Sequence, residues 1–585
     1  MGIPAQWDAL LNADVAEALD EIADILEIQG DQFRPRAYRR AARSIENSPG
    51  DLVQLMESNQ LTQIPGVGES IASRIQEFVQ TGRIAYLEDL RKQIPKGVAE
   101  LLRIPDVGPK TVKLFHEKLG ITSIEDLKRA IEDQKLRTIK GIGQKTEENI
   151  VRGINFVRRG GSRMLLGRAL PVAREIQRHL SSAPGVERIS LAGSLRRMKE
   201  TVGDVDVLVT SASPPQVTES FISMPMVRHV LAKGETKSSV LLNNGLQVDL
   251  RIVPDDCFGS ALQYFTGSKD HNIKLREIAQ RRAMKLSEYG LFDESGKRIA
   301  GRDEQGIYGS LGMCYIEPEL RENTGEIDAA IAGTLPEIIS MSDIRGDFHV
   351  HSSWSDGNQD ILSIGLRTRA LGYEYVCITD HSHTLKIARG LEEEEVLKQA
   401  EEIRNVNSQL GDRPMVLAGL EVDIKADGSL DTTDEVLEQL DLVIGSIHSR
   451  FKSSRTSMTD RMVQALSTGL ITILAHPTGR LLGQREPYPL DEDVLFDAAL
   501  QHRVWMEINA FPDRLDLDEG LARRAAKMGI KLAIGTDSHD LEQLNCMVFG
   551  VGVARRAWLE RKDVANCMTK ARLLGALRGG RSRSR

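Results

Sequence analysis

Residues 192–209 read AGSLRRMKETVGDVDVLV, and this stretch decides the fold of the middle of the chain. Asp204 and Asp206 are two apart in a Val-rich segment with the period of a strand, so both carboxylates leave the same face. Such a pair can share two divalent cations roughly 3.5–4 Å apart, the arrangement that activates one oxygen and stabilises another in phosphoryl transfer. Upstream, Gly193-Ser194 followed by Arg196 and Arg197 reads as a tight turn opening a helix. Free backbone N–H groups and an arginine fork at that turn suit a triphosphate. A third acid, Asp249, alternates with Val248, Leu250 and Ile252 in QVDLRIV, a second strand. The plainer reading makes Asp204 and Asp206 the solvent face of an edge strand, but such strands have little need of a Gly-Ser turn and paired arginines.

The GS-x-RR…GDVDV pattern resembles the nucleotidyltransferase palm, and YFTGS, from Tyr264 to Ser268, narrows the resemblance to family X DNA polymerases of the polymerase beta kind. The resemblance implies that Asp204, Asp206 and Asp249 hold two metals, Mg²⁺ or Mn²⁺, and carry the chemistry. It also implies that Gly193, Ser194, Arg197 and Gly203 hold the triphosphate, that Tyr264, Phe265 and Gly267 pack against the sugar, and that Asn272 reaches the nascent base. The chain departs from polymerase beta at Lys269, which stands where that enzyme has an acidic residue near the incoming base.

Three short segments punctuate the first 150 residues: IPGVG (Ile64 to Gly68), IPDVG (Ile104 to Gly108) and IKGIG (Ile139 to Gly143). Each lies between helical stretches and resembles a helix-hairpin-helix turn, in which glycines let the backbone donate N–H groups to a DNA phosphate without reading sequence. Gly66, Gly68, Gly108, Gly141 and Gly143 are the expected contacts. The net charge of −8 hides a local excess of cations. Between Leu101 and Glu200 there are twenty-one Lys/Arg against eleven Asp/Glu, and a basic strip, not the average charge, is what displaces phosphate counterions.

A second constellation begins at Ile344, where short apolar strands alternate with helices in the manner of a βα-repeat barrel. The strand ends carry DFHVH, SDG, TDHSH, GLEVD, GSIHS, LAHP and GTDSH, which hold seven of the twelve histidines. In βα-barrels, polar side chains at the C-terminal ends of strands converge on one mouth, so this is how a multinuclear centre looks when unrolled. His349 and His351 form an H-x-H pair of the spacing that binds one metal.

This half resembles the PHP (polymerase and histidinol phosphatase) phosphoesterase domain. The resemblance implies nine metal ligands: His349, His351, Asp356, His381, Glu421, His448, His476, Asp537 and His539. It suggests three metals, with Glu421 bridging two. His349, His351 and Asp537 would complete the first, His448 and His476 the second, and Asp356, His381 and His539 the third. Asp347 and Asp380 are expected to orient ligands, and His383 to line the pocket. Imidazole and carboxylate ligands without thiolate suit Mn²⁺, Zn²⁺ or Fe²⁺.

The chain therefore reads as multidomain, α+β and α/β. The expected order is a helical helix-hairpin-helix region (residues 1–92), a second such region resembling fingers (93–160), the palm (161–256), a thumb (257–316), an acidic connector (317–343), a PHP barrel (344–572) and a basic tail (573–585) ending in RGGRSRSR, expected to be disordered. Five cysteines, none in a C-x-x-C pair, argue against a disulfide framework, and no apolar run approaches the roughly 18 residues of a membrane span. The expected setting is the bacterial cytoplasm and nucleoid, with the protein a monomer acting on gapped or nicked duplex, 3′ ends and dNTPs, and no membrane. The expected function is short-gap filling in base-excision repair, joined to a Mn²⁺-dependent 3′→5′ exonuclease or abasic-site phosphodiesterase. Two further readings are a polymerase half that only holds DNA, and a barrel that hydrolyses small phosphomonoesters. Intact Asp204, Asp206 and Asp249 count against the first. In PGVGESIASRI the position matching the nucleophilic lysine of polymerase beta is Arg74, and no lysine precedes Lys92, so a Schiff-base lyase is not expected.

Overall fold

The computed structural model describes residues 6–581 apart from positions 30, 32, 47–51, 59, 65, 94–97, 99–100, 102–103, 105–106, 140–141, 144–145, 148–149, 152–153 and 155–162. The N-terminal part is helical and has two separate cores. Leu19, Ile22 and Leu26, on one face of the helix Gln6–Gln29, pack with Tyr38, Ile75 and Leu87. Val112 and Phe115 of the helix Pro109–Leu119 pack with Leu127 and Ile150. Gly82 and Gly120 end their helices in the left-handed conformation, which glycine adopts without steric cost.

The palm is a five-stranded mixed sheet. Its strands are β1 (Val186–Leu191), β2 (Asp204–Ser211), β3 (Val227–Ala232), β4 (Lys237–Leu242) and β5 (Gln247–Ile252), in the order β1-β2-β5-β4-β3. β2 and β5 run parallel with Asp206 opposite Asp249. Val205, Val207 and Val209 are buried against the helix Leu166–Ser181, so period-two burial pushes the acids of β2 to the other face.

The stretch read as an acidic connector is instead packed onto the thumb. It forms the helix Glu326–Ala332 and two single turns, Pro318–Leu320 and Met341–Asp343. Leu320, Ile327 and Ala330 join Leu275 and Tyr308 in one apolar cluster. Arg321, fully buried, pairs with Glu304 at 2.5 Å and donates to the Ile316 carbonyl. Its prolines and acids signalled a linker because the apolar residues between them lack a regular period.

The C-terminal half is a nearly closed barrel of seven parallel strands in sequence order: β6 (Gly346–Val350), β7 (Tyr375–Ile378), β8 (Met415–Asp423), β9 (Leu442–Ser446), β10 (Ile473–Leu474), β11 (Trp505–Asn509) and β12 (Leu532–Gly535). The first strand meets the last through Asp537 N–H to the His349 carbonyl at 2.9 Å and His351 N–H to the Ser538 carbonyl at 2.8 Å. Phe348, Tyr375, Leu417, Ile444, Ile473 and Ala533 fill the interior below the mouth. Leu573 and Leu577 plug that cluster from a helix, Lys570–Arg581. The basic tail therefore begins as a helix whose leucines pack on the barrel, and of the RGGRSRSR stretch expected to be disordered residues 578–581 continue that helix; residues 582–585 lie outside the described residues.

The palm docks on the barrel. One continuous apolar cluster includes Leu166 and Val205 of the palm and Val443 and Met506 of the barrel. Arg480 pairs with Glu200 at 3.0 Å and Lys199 with Glu519 at 3.4 Å. A Cβ on Gly167 would overlap the Pro512 ring. Gly167→Ala should favour the isolated helix by about 1 kcal/mol, yet the docked contact leaves no room for the methyl group. The expected outcome is a lower midpoint in thermal melts and faster protease cleavage between palm and barrel. A raised midpoint would refute this docking.

Candidate functional site

The barrel mouth is organised around Glu421 near the end of β8, which shares a face with Leu417 deeper in the strand. Its Oε2 lies 2.9 Å from His381 Nδ1, 3.3 Å from His349 Nε2 and 3.5 Å from His351 Nε2. Its Oε1 lies 3.1 Å from His476 Nε2 and 3.4 Å from His448 Nε2. Asp537 Oδ1 is 3.2 Å from His351 Nε2 and 3.5 Å from His349 Nε2. Asp356 Oδ1 is 3.3 Å from His539 Nε2, 3.7 Å from His381 Nε2 and 4.0 Å from His351 Nδ1. All nine residues singled out from the barrel sequence thus come together.

Their grouping is less partitioned than the family pattern suggests. Ligand atoms lie within 4.8 Å of one another in three sets: His351, Asp356, His381 and His539; His349, His351 and Glu421; His381, Glu421 and His448. His351 and His381 each present one ring nitrogen to Glu421 and the other to Asp356. His383 stands apart, 3.9 Å from Asp431 and about one-third exposed.

This donor set fits divalent cations. His349 Nδ1 is 2.7 Å from Glu507 Oε1, which fixes its proton there and turns the Nε2 lone pair toward Glu421. His349 Nε2, His351 Nδ1, His381 Nδ1 and Glu421 Oε2 are all buried without a hydrogen-bond partner. Lone pairs facing one another in a buried site call for a cation between them. Without a cation the carboxylates favour a proton in its place at His349. Burial works against a charged His349, but Glu507, Asp537 and Glu421 together hold it above its ordinary range. Burial and the flanking His539 and His381 drive His351 down to about 3. Despite burial, the neighbouring imidazoles keep Glu421 well below the usual carboxylate range.

Several supporting residues escaped the sequence reading. Glu507 also accepts the His476 N–H at 2.6 Å, so one buried carboxylate fixes two histidines. Asn509 donates to Asp537 at 3.1 Å, and Asp423 accepts the His448 N–H at 3.1 Å. Only the alternation of Glu507 and Asn509 on a strand like the others could have flagged them. Asp380 is buried among Ser352, Ser355 and Gln399, and Asp347 accepts from Thr536 and the His349 N–H; both shape the loops and touch no ligand ring.

In the palm, Asp206 and Asp249 sit side by side, while Asp204 is exposed at the start of β2. Lys237 pairs with Asp249 at 2.7 Å, and Arg251, stacked 3.9 Å over the Phe265 ring, lies 3.7 Å from Asp206. Burial and then Asp204 push the Asp206 carboxyl up to about 6, whereas Lys237 and its hydrogen-bonding neighbours hold Asp249 low despite burial. Gly193, at a φ of +66°, leaves room for Asp206: a Cβ there would stand 2.9 Å from its Oδ2. The residues 193–196 form a single helical turn, and the Lys199 N–H returns to the Ser194 carbonyl at 3.1 Å. Gly203 faces the Arg163 guanidinium.

Arg197 is engaged: its Nε donates to Glu322 at 2.9 Å and its Nη1 to the Thr266 carbonyl. Gly267, at a φ of +73°, packs against that guanidinium. Tyr264 and Phe265 meet edge to face at 5.1 Å. Asn272 is buried, donating to the Tyr264 carbonyl at 2.7 Å and accepting from Gln263 at 2.6 Å, whereas Lys269 is exposed.

The described residues of the three hairpin segments share one backbone hydrogen bond. Val67, Val107 and Ile142 donate to Ile64, Ile104 and Ile139, each at 3.0 Å. Gly68, Gly108 and Gly143 face open space at their Cβ positions, and Gly66, at a φ of +86°, packs against Arg40. Gly141 lies outside the described residues. Arg74 donates to the Ser70 carbonyl and stacks 4.2 Å over the Tyr86 ring.

Known proteins match along the whole chain. Residues 11–84 match the helix-hairpin-helix domain, 98–155 the SAM-like helix-hairpin-helix tandem, 261–322 the DNA polymerase beta thumb and 347–499 the PHP domain. The chain is 39% identical over 557 residues to the DNA polymerase/3′-5′ exonuclease PolX of Bacillus subtilis, covering 94% of this chain and 97% of that protein. It is 26% identical over 344 residues to DNA polymerase lambda of Rattus norvegicus, covering 53% of this chain and 56% of that protein. DNA polymerase lambda of Arabidopsis thaliana is likewise 26% identical, over 345 residues, which is 53% of this chain and 62% of that protein.

The Asp206 carboxyl gives a stability prediction with a definite sign. Its folded value of about 6 lies above the ordinary 3.8, so the folded chain holds this proton more tightly than the unfolded chain. The ionised carboxylate therefore costs nothing in strong acid and about 2–3 kcal/mol once the pH exceeds its folded value. In metal-free buffer, Asp206→Asn should raise the melting midpoint by several degrees near neutral pH. That advantage should close as the pH falls from about 6 to about 4. An unchanged or lowered midpoint near neutrality would refute it.

Proposed function

The chain belongs to the PolX family, family X DNA polymerases with a C-terminal PHP domain, and on that premise we propose a gap-filling DNA polymerase joined to a metal-dependent 3′→5′ exonuclease. One observation carries the reading: two separate carboxylate-bearing centres stand in one chain, a pair of adjacent palm acids behind a glycine turn and a histidine-carboxylate centre in a barrel mouth. The substrates are DNA and dNTPs, and among the described residues no helix is long and apolar enough to cross a membrane.

In the palm, Asp204, Asp206 and Asp249 would hold Mg²⁺ or Mn²⁺, with Lys237 and Arg251 balancing their charge until the cations bind. Gly193, Ser194, Gly203 and Arg197 would take the triphosphate, Arg197 leaving Glu322 to do so. Tyr264, Phe265 and Gly267 would meet the sugar, and Asn272 would turn from Tyr264 toward the base. In the barrel, Glu421 and the eight residues around it would hold up to three Mn²⁺, Zn²⁺ or Fe²⁺ ions. When bound, such cations activate an attacking oxygen and neutralise charge on the leaving oxygen. Glu507 keeps His349 in the ligating tautomer, and Arg514, 3.4 Å from Asp537, would face a phosphate oxygen.

The loops around that mouth favour a polymeric anion over a small phosphomonoester. Lys386 and Arg389 follow His381, Arg450, Lys452 and Arg455 follow His448, Arg485 follows His476, and Arg514 follows Glu507. Those cations that are not held by Asp491 or Asp537 would suit a phosphodiester backbone. The hairpin glycines Gly66, Gly68, Gly108, Gly141 and Gly143 would anchor the flanking duplex through backbone N–H groups. The proposed setting is short-gap repair in the bacterial cytoplasm, by a monomer.

The test is a primed, gapped duplex with and without dNTPs. Asp206→Ala should lower primer extension by several orders of magnitude and leave 3′-end degradation in place. Glu421→Gln or His349→Ala should do the reverse. Loss of both activities from either change, in a folded protein, would refute two independent centres.

Arg74 generates a further expectation. A guanidinium with a pKa above about 12 is no amine nucleophile, and this one is stacked on Tyr86. Borohydride treatment with DNA bearing a 5′-deoxyribose phosphate should trap no adduct before Lys92, the terminal amine aside; a strong adduct there would refute it.

A further inference from the structure

Arg556, at the C-terminal end of the helix Met547–Arg556, carries the barrel to the backbone of the palm nucleotide turn. Its Nη1 donates to the Arg197 carbonyl at 3.1 Å and to Glu322 Oε1 at 3.2 Å, and its Nη2 pairs with Glu519. Glu322 Oε1 is also the atom that accepts from Arg197 Nε at 2.9 Å. Two guanidiniums, one from the palm and one from the nuclease barrel, thus share a single carboxylate oxygen. The approach is close: a Cβ on Gly552 of the same helix would stand 2.8 Å from Met198 Cε. Arg556 is 4% exposed and Arg197 13% exposed, while Glu322 is 23% and Glu519 31% exposed, so the guanidiniums are buried and their carboxylate partners only partly shielded.

We propose that Arg556 is a positioning residue for nucleotide binding at the palm, and that the barrel thereby completes the polymerase site. An isolated Arg197–Glu322 pair would tend to hold Arg197, because its departure would leave the partly buried Glu322 charge without a partner. With Arg556 on the same oxygen, Glu322 stays neutralised when Arg197 turns to a triphosphate. The Arg556 bond to the Arg197 carbonyl keeps the backbone of the turn in place meanwhile. Arg197, Arg556 and Lys199 face only Glu322 and Glu519 in this cluster, which leaves an excess of positive charge beside an anionic ligand. The inference rests on the reading that Arg197 binds the triphosphate.

Gap filling by the full chain, measured across dNTP concentrations, tests both. Arg197→Ala should raise KM for dNTP; if it does not, the triphosphate reading itself fails. Arg556→Met should raise KM by about tenfold with kcat little changed, the signature of lost ground-state binding. Arg556→Lys, which keeps the charge but not the fork, should give a smaller rise. Glu322→Gln should not raise KM, and the Arg556→Met, Glu322→Gln double variant should return KM toward that of the unaltered protein, because the carboxylate that traps Arg197 is gone. If Arg197→Ala raises KM and Arg556→Met does not, or if the double variant shows no return, this inference alone is overturned. A fall in kcat, nuclease rate and melting midpoint together in Arg556→Met would reduce Arg556 to an interdomain bond and overturn it equally.

Discussion

Glu421 stands among the ring nitrogens of His349, His351, His381, His448 and His476, all within 3.5 Å of one or other of its oxygens. Such a cluster is stable in a buried place only if lone pairs and charges are balanced, and the chain by itself leaves His349 Nε2, His381 Nδ1 and Glu421 Oε2 without a hydrogen bond. Much of the barrel serves that constraint. Closure between β6 and β12 brings His349, His351, Asp537 and His539 to one side of Glu421. The aliphatic and aromatic plug of Phe348, Tyr375 and Ile444 keeps the floor dry, and the Lys570–Arg581 helix seals it with Leu573 and Leu577.

The palm meets the same problem differently. Its acids lie at an open sheet end, and the chain supplies cations of its own, Lys237 and Arg251, to tolerate two carboxylates side by side. The residual strain shows in Asp206, whose carboxyl is pushed up to about 6 by burial and by Asp204. One centre sets its carboxylates among imidazoles, the other among a lysine and an arginine. The two centres lie in different domains, and their supports touch through Arg556, Glu519 and Lys199.

The sequence by itself determined the type and order of the parts. The alternation in DVDV and QVDLRIV fixes strand and facing direction because a pleated strand has only two faces, and Asp206 indeed lies opposite Asp249. The barrel histidines and acids were legible because strand ends of a βα-repeat have one place to meet, and all nine meet there. Periodicity carries no information about partners far along the chain. Glu507 finds His349 158 residues away, and Arg556 finds the Arg197 carbonyl 359 residues away. Nor could it show that His351 and His381 each face two carboxylates, that Arg197 and Asn272 are held by protein partners, or that residues 317–343 and the final helix are packed. Those outcomes depend on which surfaces remain to be buried once the domains have folded, and only the tertiary structure settles that competition.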